Sequence, residues 1–189
     1  MRHISYFLFL QCYDDAKLTR IMNIREALLE VHSKDQAIKI VDYVGQDPTR
    51  FAELMKLMMG PVYRITQRAA WPVSYCIERY PDLVKPYFND LVKQLERENA
   101  HVAVRRNVAR LLQFVNIPKR YTGRIFEACY NLVDDPNEPV AVRVFSLTVA
   151  AKIAKDSPEL LDELRMLAKK YPEQSTPGFR SRSRRILGV

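Results

Sequence analysis

Glycine is scarce in this chain. Gly45, Gly60, Gly123, Gly178 and Gly188 are its five glycines, and no two stand close enough to build a phosphate-cradling loop. That argues against nucleotide-binding folds that rely on one. Cysteine is scarcer: Cys12, Cys76 and Cys129 are odd in number and far apart. They fit neither a disulfide framework nor a metal-ligand spacing, and reduced thiols point to a cytoplasmic protein. His3, His32 and His101 have no histidine partner three or four residues away, so no metal and no cofactor is expected. No serine or cysteine sits in a recognisable nucleophile motif, although a triad assembled in space would leave no such trace.

Long apolar runs are also missing. Ile4 to Leu10 is the longest near the start, and it is too short to span a bilayer. Arg2 and His3 before it imitate a secretory signal. The following Gln11-Cys12-Tyr13-Asp14-Asp15 offers no small residues for cleavage. Met22-Asn23-Ile24-Arg25-Glu26 opens a helix cleanly. Residues 1–21 therefore read as an N-terminal extension, with Met22 as an alternative natural start. Residues 22–189 read as one domain.

What is present is basic charge and a repeat. The net charge is +8, and residues 174–189 carry Arg180, Arg182, Arg184 and Arg185 with no acid. A basic balance favours polyanions or acidic protein surfaces. A short pattern returns four times: Pro61-Val62-Tyr63-Arg64, Val102-Ala103-Val104-Arg105, Pro139-Val140-Ala141-Val142-Arg143 and Pro177-Gly178-Phe179-Arg180. The arginines are spaced by 41, 38 and 37 residues. A period of this size marks stacked helical hairpins.

Helical periodicity supports that reading, and no stretch sustains the alternation of a strand. Breaks and caps place helices near 23–32, 35–44, 48–59, 61–79, 82–97, 101–115, 119–133, 138–155, 158–171 and 177–187. Ser33 with Gln36 fits a capping box; Asp47, Ser157 and Thr176 each stand as a cap before proline. Pro72 predicts a kink or split in 61–79. The segment 140–154 is apolar nearly all round, so Phe145, Leu147 and Val149 are expected in the core, with Phe145→Ala costing about 3–5 kcal/mol. The hairpins are 48–59 with 61–79, 82–97 with 101–115, 119–133 with 138–155, and 158–171 with 177–187.

This organisation resembles the HEAT-repeat family. Val104-Arg105 with Ala109 and Leu112, and Val142-Arg143 with Leu147 and Ala150, carry the resemblance over roughly residues 47–187. It implies an all-α fold, a right-handed α-α superhelix. Its function would be a non-enzymatic scaffold that binds another macromolecule, a protein first, through its concave face. Stacked repeats would align Arg64, Arg105, Arg143 and Arg180 in a column. That column is either a structural ladder, paired with Glu96, Glu98, Asp134, Asp135 or Glu138 in the turns, or a cationic binding seam that Arg68, Arg106, Arg110 and Arg184 extend. An alternative is nucleic-acid binding or repair, since the chain also resembles the HEAT-like alkylpurine DNA glycosylases. Those enzymes combine a basic concave face with aromatic residues and a catalytic aspartate. Here Trp71 is followed at i+3 and i+4 by Ser74 and Tyr75, not by an acid, and Trp71 and Tyr75 are expected in the core.

Overall fold

A computed structural model describes residues 22–97, 99–170 and 175–189. Of these residues 78% are helical, and no strand occurs among them. The expectations placed on residues 1–21 lie outside the described residues, as does Glu98. The helices are α1 (Ile24–Glu30), α2 (Lys34–Val44), α3 (Pro48–Met58), α4 (Tyr63–Arg79), α5 (Phe88–Glu96), α6 (Val102–Leu112), α7 (Lys119–Asp134), α8 (Val140–Ala154), α9 (Pro158–Lys169) and α10 (Pro177–Leu187). A 3₁₀ segment, Pro81–Tyr87, precedes α5.

Local chemistry sets most boundaries. Asp47 accepts the backbone N–H groups of Thr49 and Arg50, Thr176 accepts that of Phe179, and proline fills the first position of α3, α9 and α10. Three details depart from expectation. Only half of the capping box forms. Ser33 Oγ accepts the Gln36 N–H, but the Gln36 side chain donates to the Ala27 carbonyl and to Glu30, tying α2 to α1. Ser157 makes no cap, because its hydroxyl bonds Glu159 instead. The segment 82–97 is not one α-helix: Pro86 has no N–H to donate, and the turn ahead of Phe88 tightens to 3₁₀. Pro72, by contrast, does not split α4, which runs through it as one element.

The hairpins pair as the repeat predicts: α3 on α4, α5 on α6, α7 on α8, α9 on α10. The second helices α4, α6, α8 and α10 then pack in series, and the first helices α5, α7 and α9 do the same. This is the two-layer stack of a helical-repeat solenoid. One buried apolar cluster runs through it from Ile24 to Leu187. Helix α8 is held by α6, α7, α9 and α10 together, which explains why it is apolar nearly all round. Leu147 and Val149 are fully buried, but Phe145 is only half-buried. It stands with Ala141, Thr148 and Lys152 on the strip of α8 that its neighbours cover least.

Candidate functional site

That strip belongs to a surface shared by all four second helices. Helix α4 contributes Arg64, Arg68, Trp71 and Tyr75; α6 contributes Arg106 and Arg110; α10 contributes Ser181, Arg182 and Arg185. Charge is sharply divided between the two layers. The second helices carry Arg64, Arg68, Arg79, Arg105, Arg106, Arg110, Arg143, Lys152, Arg180, Arg182, Arg184 and Arg185, and Glu78 is their one acid. The first helices of the same hairpins hold Glu53, Asp90, Glu96, Glu127, Asp134, Glu159, Asp162 and Glu163 among their bases. The second-helix layer is therefore strongly cationic.

The arginine column divides into distinct environments. Arg64, Arg180 and Arg184 are exposed. Arg180 donates to the Ser175 carbonyl beside its own helix start. Arg105 pairs with Glu138 at 2.5 Å, with side chains 16% and 6% exposed, and so links α6 to the entry of α8. Arg143 is 4% exposed. Its Nε donates to the Val133 carbonyl at 3.1 Å, and its guanidinium lies 4.5 Å over the Phe179 ring of the next hairpin. Of the residues flanking the column, Arg68 donates to the Leu28 and Leu29 carbonyls at 3.0 and 2.9 Å, and Arg106 touches Asn107 Oδ1 at 3.4 Å. Arg110 is half-buried.

Four cations on this layer, Arg79, Lys152, Arg182 and Arg185, were not singled out as site residues by the arginine pattern, and Arg79 is paired with Asp42 at 2.6 Å. Lys152 donates to the Leu112, Gln113 and Val115 carbonyls at the end of α6. Arg182 donates to Thr148 Oγ1 at 3.1 Å, and burial together with neighbouring Arg185 pulls its pKa down. A tally of acids along each second helix would have found them.

Other candidate groups have ordinary surroundings. His101 caps α6, its Nδ1 accepting the Ala103 N–H at 3.1 Å. Trp71 and Tyr75 are half-buried rather than in the core, and Trp71 stacks on His32 with centroids 4.9 Å apart. Burial pushes the Cys76 and Cys129 thiols up to about 12, far from thiolate chemistry. Among the described residues no group of three or more His, Cys, Asp and Glu is placed to hold a metal ion. Among them, too, no helix is long and apolar enough to cross a membrane.

The largest concavity among the described residues, about 750 Å³ beside Leu57, Met59 and Val62, lies by the α3–α4 turn, and two others adjoin the arginine-bearing helices. A polar cleft of about 430 Å³ lies between the α5–α6 turn and α7, walled by the Arg124–Glu96 and Arg105–Glu138 pairs. An apolar groove of about 400 Å³ lies between α8 and α10, with Arg182 and Arg185 among its lining residues. A family model described as a HEAT repeat domain matches residues 24–189. No curated protein and no solved structure gives a match.

Proposed function

The chain belongs to the HEAT repeat domain family, and on that premise we propose that it is a non-enzymatic scaffold whose second-helix face binds an acidic segment of a partner protein. The observation that carries this reading is the charge division: four stacked helices with twelve named cations and the single acid Glu78. A solenoid offers an extended surface, and a surface of one sign recruits the opposite sign and speeds encounter. Arg64 and Arg185 are its freely exposed members, and Arg180 and Arg184 stand on the α9 side of α10, near Ala168 and Lys169. On this reading Arg68, Arg105 and Arg143, already engaged within the fold, set the shape of the face, and Arg106, Arg110 and Arg182 contribute charge along it.

Nucleic-acid binding is the second reading, favoured by the preponderance of arginine over lysine on these helices. A titration across salt concentrations separates the two. Duplex DNA held by many phosphate contacts gives a steep linear fall of log K with log salt. The protein reading predicts that a glutamate-rich peptide outcompetes a duplex of equal charge at physiological salt. A duplex that wins that competition would overturn it.

A further inference from the structure

We infer that the groove between α8 and α10 is the anchor point of this face, holding one large apolar side chain of the acidic partner segment; the inference rests on the reading just given. The groove has an apolar floor of Val140, Val144 and Phe145 and a rim of Arg182 and Arg185, and no carboxylate lines it. Val140 is 42% exposed, on a helix whose Val142 and Val149 are fully buried. Gly178 keeps the α10 side open: a Cβ built there meets nothing within 4 Å. Arg182, held by its bond to Thr148 Oγ1, and Arg185 one turn on both line the groove, and no carboxylate stands beside them there.

Those features specify the occupant by complementarity. Carboxylates answer the rim, and an aliphatic or aromatic side chain answers the floor. A nucleic-acid duplex satisfies only the first, since its exterior is phosphate and sugar, and it would leave the floor in water. The groove is open and shallow, and its volume of about 400 Å³ leaves room for one large side chain. An acidic protein segment with a phenylalanine or leucine between its carboxylates satisfies both.

The test uses the full chain and three labelled probes in an anisotropy titration: a glutamate-rich peptide with one central phenylalanine, the same peptide with alanine there, and a DNA duplex of equal charge. The phenylalanine peptide should bind on the order of tenfold more tightly than the alanine peptide, the size expected from burying one large apolar side chain. Gly178→Phe fills the groove from α10 and should remove that advantage, so that the two peptides then bind alike. Ser181→Trp, at an exposed position of the same lining, should do the same and guards against a folding failure in the first variant. Equal affinity for the two peptides, untouched by either substitution, would overturn the groove and leave the cationic-face reading standing. Tightest binding to the duplex, or no binding to any probe, would overturn both.

Discussion

Arg105 and Glu138 form a pair whose two halves are not equivalent. Burial holds the Glu138 carboxyl above the ordinary glutamate value of 4.5; the Arg105 charge opposes that shift without cancelling it, and Asp135 adds to it. Glu138 Oε2 and Arg105 Nε are both buried without a hydrogen-bond partner, so the pair is only half satisfied. A carboxyl raised in the folded state binds a proton that the unfolded chain has released. The native state therefore loses ground as pH rises through and above 4.5. Glu138→Gln cannot ionise and escapes that loss, so its melting temperature should gain on the wild type between about pH 4 and about pH 7. Arg105→Gln strands the carboxylate and should cost on the order of 3 kcal/mol at neutral pH, less in acid where Glu138 is protonated. Melting curves across that range check both, and a Glu138→Gln protein that loses ground as pH rises would contradict the account. Half-burial also rescales Phe145: Phe145→Ala should cost about 1–2 kcal/mol, and Leu147→Ala about 2–5 kcal/mol. Neither difference was legible in the sequence. Periodicity marks Phe145 and Leu147 alike as apolar, and only the neighbours of α8 decide which of them is covered.

At the scale of elements, the hairpins are stitched by polar side chains that reach back one repeat. Arg68 meets the carbonyls that end α1, Asn107 donates to the Thr66 carbonyl at 2.9 Å, and Lys152 gathers the last carbonyls of α6. Carbonyls at helix ends lack intrahelical donors, so the Arg68 and Lys152 contacts meet a need that the fold creates; Thr66 lies in the first turn of α4, and the Asn107 bond there ties α6 to α4. Asn107 is buried, and Asn107→Ala should cost about 1–3 kcal/mol by leaving its partners without a donor or acceptor. Lys152→Met keeps much of the aliphatic stem and should cost about 1 kcal/mol, since this lysine is exposed. Chemical denaturation of the two variants measures both, and a Lys152→Met loss larger than that of Asn107→Ala would contradict the ranking. Helix positions and hairpin pairing were readable from caps, prolines and the 37–41-residue spacing. The 3₁₀ turn at Pro86 was readable too in principle, because a proline five residues into a helical stripe removes a donor that the α-ladder needs. The backward-reaching contacts were not readable, since one sequence gives no means of pairing residues forty apart.

At the scale of the whole molecule, the repeat does two things at once. It stacks apolar faces into a continuous core, and it sorts charge so that one layer is cationic and the other mixed. The fold was legible because periodic burial leaves a periodic pattern. The charge sorting was legible only in part. The arginine column drew the eye to one residue per repeat, whereas the face is built from every cation on helices that hold almost no acid. The central claim is that position on the second-helix layer, and not net charge, governs binding. It is tested most directly by two charge-reversal triples of identical net charge: Arg64→Glu, Arg106→Glu and Arg185→Glu on the second helices, and Lys56→Glu, Lys93→Glu and Lys119→Glu on the first helices α3, α5 and α7. The measurement is the affinity of each for the glutamate-rich peptide at one fixed salt concentration. The account predicts that the first triple loses binding and the second keeps it; equal weakening in both would contradict the account and reduce the face to bulk charge.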